Sequence, residues 1–261
     1  MHKQLKRVTD YNKRLPIVEI YTAVQSEGSR AGYPTVVIRT TGCTHRCYFG
    51  EGGWCDSWYT SIHAEKGKFT FNDIIAMYKK NPHISEMMLT GGSPTMHGAL
   101  VNELTHFAHE NNIFITIETE GSHFLPTDYP INLLSISPKF SNSVPVLGVK
   151  TPQGEVTTEK MIKTHNRLRC NWDAIKKSIA YHSDFHLKPV WDGKDQGALA
   201  EIMDAIAQLE IKPEKVWFMP AGDSREALFK SYPVLFDWVR DNGYRMTWRP
   251  HIIAFEDQRE V

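Results

Sequence analysis

Cys43, Cys47 and Cys55 lie within thirteen residues, in the run Gly42-Cys-Thr-His-Arg-Cys-Tyr-Phe-Gly-Glu-Gly-Gly-Trp-Cys-Asp-Ser57. Thiolates are soft ligands that hold zinc or iron–sulfur clusters. Three of them make a poor disulfide framework and fall one ligand short of a closed zinc site. They suit an iron–sulfur cluster that keeps one iron for other chemistry. Zinc would need a fourth ligand from His45, His63 or Cys170, none at a familiar zinc-ribbon spacing, and unliganded thiols are the third reading. Arg39 offers a planar five-donor fork suited to a carboxylate, with a strand-end surface ion pair as its plainer alternative. Gly91 and Gly92 let a ligand approach the backbone closely, although Gly-Gly alone is only a turn signal.

These residues sit where apolar, β-branched runs end. The runs are Val18–Val24, Thr35–Thr40, Met87–Thr90, 113–118, Leu133–Ser137, Phe185–Val190, Val216–Met219 and Met246–Ile253. They have the buried character of parallel strands. Amphipathic stretches at Asn72–Lys80, Leu100–Asn111, Trp172–His182, Ala198–Leu209 and Arg225–Asn242 read as helices. Asn72 and Ser224 are expected as N-caps and Gly243 as the residue just past a helix end. Strand alternating with helix predicts right-handed βαβ units and a mostly parallel sheet, open or curled into a partial barrel, with its site at the carboxyl ends of the strands. One domain is expected over 17–261, preceded by a basic, solvated arm at 1–16. A cluster loop at about 42–68 and an irregular insertion at about 140–171 fit the pattern least, and either is a candidate lid.

Thirty basic and thirty acidic side chains balance, so no charge excess advertises nucleic acid. No stretch reaches the ~18 to 20 apolar residues that span a bilayer, and no apolar run follows the basic N-terminus. A cytoplasmic protein is expected. Four cysteines, three of them bunched, fit a reducing compartment, and Cys170 reads as a small packing residue.

Cys43-x-x-x-Cys47, an aromatic residue and then Cys55 resemble the radical S-adenosylmethionine superfamily. There, three cysteines bind a [4Fe–4S] cluster whose fourth iron chelates the amino and carboxylate groups of the cofactor. The superfamily has two residues between the second and third cysteines and this chain has seven. With Phe49–Gly53 treated as an insertion the pattern closes, and Trp54 takes the aromatic place beside the cofactor's adenine. Thr90-Gly-Gly-Ser-Pro94 resembles the superfamily's Gly-Gly-Glu-Pro segment, whose backbone meets the cofactor's ammonium group; Ser93 stands where glutamate is usual. Glu19-Ile-Tyr, Val24-Gln-Ser-Glu-Gly28, Gly32-Tyr-Pro, Ile38-Arg39, Cys55-Asp-Ser57, Glu118-Thr-Glu-Gly-Ser122, Ser135-Ile-Ser-Pro-Lys139 and Arg249-Pro-His-Ile-Ile-Ala-Phe255 together resemble the 7-carboxy-7-deazaguanine synthase family. The resemblance covers most of 17–140, thins through 141–183 and returns at Leu187-Lys-Pro-Val190, Met219-Pro220 and the C-terminus.

The resemblance implies a partial (β/α) barrel of radical S-adenosylmethionine type. It implies a lyase in which a 5′-deoxyadenosyl radical abstracts hydrogen from 6-carboxy-5,6,7,8-tetrahydropterin, and ring contraction with loss of ammonia gives 7-carboxy-7-deazaguanine. By carry-over, Cys43, Cys47 and Cys55 hold the cluster and Ser57 helps bind Mg²⁺. Trp54, Gly91, Gly92, Glu118 (as ribose acceptor), Ser137, Pro138 and Lys139 meet S-adenosylmethionine. Val24, Gln25, Ser26, Glu27, Arg39, Thr90 and His251 meet the pterin, with Glu27 accepting from its guanidine-like edge and His251 in a last strand. An electron donor such as flavodoxin and a homodimer are implied too. The alternatives are an activase that installs a glycyl radical on a partner enzyme, which has no use for the Gln-Ser-Glu-Gly and Arg39 set, and a non-enzymatic zinc-binding module.

Overall fold

The computed structural model describes residues 5–50, 53–256 and 258–261. Strands follow one another across the sheet in chain order. β1 (Ile17–Val24) pairs antiparallel with β2 (Pro34–Thr40). β2, β3 (Glu86–Gly91), β4 (Phe114–Thr119), β5 (Leu133–Ile136) and β6 (Phe185–Leu187) then pair parallel, each with the next. β7 (Val190–Trp191), β8 (Trp217–Pro220) and β9 (Arg245–Met246) form a second parallel sheet, tied to the first by a parallel bridge between Leu187 and Val216. Past the ends of β1 and β9, Gly28 N donates to Thr247 Oγ1 at 2.6 Å, so the two extremes of the strand order meet. The result is the expected α/β fold, a mostly parallel sheet curled into a partial barrel.

Helices intervene: α1 (Trp58–Ser61), α2 (Phe71–Lys80), α3 (Gly98–Glu110), α4 (Glu159–Leu168), α5 (Trp172–Tyr181), α6 (Gln196–Gln208), α7 (Arg225–Asn242) and α8 (Pro250–Phe255). Their apolar faces close on the sheet. Phe71 and Ile74 of α2, Leu104 of α3, Ile202 of α6 and Leu235 of α7 share one core with Ile38, Leu89, Ile117, Ile136 and Phe218. Such burial supplies most of a helix's stability, because short helices are marginal alone. Among the described residues no helix is long and apolar enough to cross a membrane.

Several expectations are corrected. α2 is capped by Thr70, not Asn72: Thr70 Oγ1 and the Asp73 carboxylate accept from each other's backbone N–H, a reciprocal capping box. Ser224 and Gly243 behave as expected; the first accepts from Ala227 N, and the second ends α7 at a φ of 72°. The run Met246–Ile253 is a two-residue strand followed by α8, because Pro250 has no N–H for a ladder and a φ already suited to a first helical turn. His251 therefore lies on a helix and not in a last strand. The 140–171 segment is not irregular throughout, since it contains α4 and a small antiparallel bridge between Lys150 and Val156. In the N-terminal arm Lys6, Lys13 and Arg14 are exposed, but Arg7 makes two bonds of 2.7 and 2.8 Å to buried Glu103 and Tyr11 packs on Phe71, so the arm is pinned.

Candidate active site

A cavity of about 640 Å³ opens at the carboxyl ends of the parallel strands. All three clustered cysteines line it, as do Trp54, Ser57, Gly91, Gly92, Glu118, Ser137 and Lys139. Val24, Gln25, Ser26, Glu27, Arg39, Thr90 and His251 line it as well. Pro138 does not.

The cluster loop explains how a long spacing still gathers three thiols. Cys55 N donates to Cys47 O at 3.1 Å and Phe49 N to Gly53 O at 2.8 Å, while Tyr48 and Trp54 form an antiparallel bridge. Residues 47–49 and 53–55 thus run antiparallel, a pairing that sets Cys55 beside Cys47; Glu51 and Gly52 of the Phe49–Gly53 insertion lie outside the described residues. The 140–171 segment packs onto this loop. Ser143 O accepts from Tyr48 N at 3.0 Å, Lys150 O from Trp54 Nε1 at 2.9 Å, and His165 Nδ1 from Arg46 N at 3.2 Å. Burial pushes the Cys43 thiol up to about 12 and Cys55 to about 11, and Cys47 well above its ordinary value. Without a metal these are neutral thiols, and a soft metal group must displace their protons to bind. Among the described residues no three His, Cys, Asp or Glu side chains could hold a metal ion together. Three soft sulfurs lining one cavity without converging on a single ion site fit a multi-iron cluster, which Cys43, Cys47 and Cys55 would hold.

A chain of charges built around buried Lys188 and Arg249 rings the other side. Glu27 takes Lys188 Nζ at 2.5 Å on Oε2 and Arg249 Nε at 3.0 Å on Oε1, with His251 Nε2 at 3.9 Å. Lys188 also donates to Glu118 at 2.7 Å, and Thr90 Oγ1 donates to the other Glu118 oxygen at 2.8 Å. Arg249 reaches the Asp56 carboxylate as well. Burial alone would raise Glu27, but Lys188, Arg249 and His251 outweigh it and hold the carboxyl well below its usual range. Asp56 is likewise lowered, burial being outweighed chiefly by Arg249. Burial would lower Lys188, yet Glu118 and Glu27 together raise it, so the lysine stays charged. Burial lowers His251, only partly offset by Glu27, and its Nδ1 is buried without a partner among the described residues.

Arg39 is held on three sides. Nε donates to buried Glu19 at 2.6 Å, NH1 to Ser57 Oγ at 3.0 Å and NH2 to Tyr21 OH at 2.9 Å, so among the described residues two of the five guanidinium donors stay unused. The second Glu19 oxygen takes Arg259 Nε at 2.5 Å. Ser57 Oγ also donates to Asp56 Oδ1 at 3.2 Å, so two oxygens able to meet a hard cation adjoin at this point. The Gln25 amide is turned inward: its Oε1 accepts from Ser26 N at 2.9 Å and Glu27 N at 3.4 Å, ordering the loop that carries Glu27. Ser137 Oγ accepts from Lys139 Nζ at 2.9 Å. Gly91 has a φ of +120°, and an added Cβ there would strike the Thr40 backbone.

Lys188, Arg249, Asp56 and Glu120 also line the cavity, although sequence reasoning gave them no role. Lys188 and Arg249 stood inside quoted motifs, Leu187-Lys-Pro-Val190 and Arg249-Pro-His, and a charged residue flanked by apolar ones at a strand end was the available signal.

No protein-family model matches the chain. The 7-carboxy-7-deazaguanine synthase of Halobacterium salinarum is 33% identical over 252 residues, covering 95% of this chain and 93% of that protein. The protein of that name in Rhodopirellula baltica is 31% identical over 245 residues, covering 94% and 88%. Among solved structures, QueE from Escherichia coli matches with a TM-score of 0.58 at 17% identity, over 90% of this chain and 93% of that one, a likeness of fold. With a third of its residues shared along nearly the full length of both chains, this chain belongs to the 7-carboxy-7-deazaguanine synthase family.

Proposed function

We propose that the protein is a radical S-adenosylmethionine lyase that converts 6-carboxy-5,6,7,8-tetrahydropterin to 7-carboxy-7-deazaguanine by ring contraction with loss of ammonia. The observation that carries this reading is the sharing of one cavity by three thiols and a rigidly held arginine that keeps two donors unused among the described residues. Cys43, Cys47 and Cys55 would hold the [4Fe–4S] cluster, and Trp54, Gly91, Gly92, Glu118, Ser137 and Lys139 would meet S-adenosylmethionine, with Pro138 shaping the strand end behind them. When bound, these groups supply the radical that abstracts hydrogen from the substrate, with a flavodoxin-type protein as electron source.

The chain's own residues bind and orient. Arg39 receives the substrate carboxylate through its remaining donors, and Thr90, its register partner on the adjacent strand β3, lies beside it. Glu27, ionised between Lys188 and Arg249, accepts from the N–H edge of the pterin; a carboxylate has about four lone-pair sites, so both cations can stay in place. Val24, Ser26 and His251 complete that wall, and Gln25 orders its loop. Ser57 and Asp56 offer oxygens to Mg²⁺, which binds through few protein ligands and keeps water or substrate in its shell. Homodimerisation and a cytoplasmic location rest on family membership alone. The Arg39 and Glu27 walls favour this function over a glycyl-radical activase, which needs no carboxylate-binding fork.

The test compares binding of 6-carboxypterin and of pterin lacking the carboxylate to reconstituted protein by calorimetry. Wild type should prefer the carboxylated ligand, and Arg39→Lys should lose about tenfold or more of that preference, since a charge-assisted fork is replaced by a point charge. Equal affinities in wild type would contradict the assignment.

A further inference from the structure

Glu120 follows β4 by one residue, is 6% exposed and lines the cavity together with Cys43, Gly91 and Gly92. Its Oε1 accepts from Ser93 Oγ at 2.6 Å and from Thr44 Oγ1 at 3.4 Å. Its Oε2 is buried and has no partner among the described residues. The one ion pair the described residues make with it is weak: His123 Nδ1 lies 4.0 Å from the oxygen already occupied, and that side chain is 42% exposed. Ser93, by contrast, is fully buried, does not line the cavity and spends its hydroxyl on Glu120. A buried carboxylate oxygen without a donor is costly, and the cost is relieved by a ligand that brings an N–H donor.

We infer that Glu120 Oε2 is the acceptor for an N–H of a ligand amino group at this wall, the α-amino group of S-adenosylmethionine, and that Ser93 and Thr44 are positioning residues that fix the carboxylate's rotation. The inference rests on the cofactor reading above. Ser93 is too short, and faces the wrong way, to present an acceptor from the glycine segment itself. The neighbouring strand end supplies the acceptor instead, and the serine steers it.

The test is equilibrium binding of S-adenosylmethionine and of 5′-methylthioadenosine, which lacks the amino-acid portion, to anaerobically reconstituted wild type, Glu120→Gln and Ser93→Ala, with iron content measured alongside. Glu120→Gln keeps the shape and should weaken S-adenosylmethionine about tenfold or more, the scale of a lost hydrogen bond to a charged group, while leaving 5′-methylthioadenosine and iron content unchanged. Ser93→Ala should weaken the same ligand by a smaller factor. Unchanged S-adenosylmethionine affinity in Glu120→Gln, or an equal loss for both ligands, overturns the inference and leaves the cofactor reading standing. Iron-loaded wild type that fails to bind S-adenosylmethionine overturns both.

Discussion

Lys188 is 3% exposed, and its charge is held by Glu27 at 2.5 Å and Glu118 at 2.7 Å. Removing one member of such a buried group leaves the others uncompensated, which typically costs several kcal/mol. Lys188→Met is therefore expected to lose about 3 kcal/mol near neutral pH. The sign with pH follows from the shifts. Glu27 is lowered from 4.5, so the stability it contributes is present above that value and lost as pH falls through and below it. Lys188 is raised from 10.5, so its contribution is present below that value and lost as pH climbs above it. The gap between wild type and Lys188→Met should be widest between these limits and narrow in acid. Urea unfolding at several pH values measures it, and a gap independent of pH would contradict the pairing. Pairs of this kind are hard to read in a sequence, because Lys188 and Glu118 are 70 residues apart and Arg249 and Glu27 are 222 apart. The cysteines, Arg39 and the glycine segment were legible because their residue types announce ligand chemistry without needing a distant partner.

Among the elements, the cluster loop depends most on one conformation. Gly53 has a φ of +77°, and an added Cβ would fall on the Asp223 carboxylate. Gly53→Ala would meet both the left-handed backbone penalty, roughly 1–2 kcal/mol, and that clash, so the loop should shift and set Cys55 away from Cys47. We expect less iron per chain after reconstitution with the thermal transition of the scaffold nearly unmoved; equal iron would show that the antiparallel pairing does not set the cysteine spacing. Most strands and the long helices were visible as apolar runs and stripes. α4 was not, because it is polar overall: Met161, Ile162 and Leu168 form a short, half-buried apolar stripe around its one buried residue, His165. α8 was hidden for the opposite reason: His-Ile-Ile-Ala-Phe is as apolar as a strand, and only Pro250 marks the change. The α2 boundary was misplaced because Asn72 is itself a good cap, while the true box began two residues earlier at Thr70.

At the scale of the whole molecule, the site exists because the sheet curls. Thiols from the loop after β2, Glu27 from the loop after β1, Lys188 from beyond β6 and Arg249 from between β9 and α8 share one mouth only when the first and last strands meet. A sequence can announce βαβ units, but not how far the sheet bends, since closure rests on contacts such as Gly28 with Thr247 that no local pattern encodes. The most direct test of the proposed function is turnover by anaerobically reconstituted protein supplied with S-adenosylmethionine, Mg²⁺, a low-potential reductant and 6-carboxy-5,6,7,8-tetrahydropterin, followed by mass spectrometry. The account predicts 7-carboxy-7-deazaguanine in many turnovers, abolished in Cys47→Ala. Iron-loaded protein that cleaves S-adenosylmethionine without forming that product, or a Cys47→Ala variant of full activity, would contradict it.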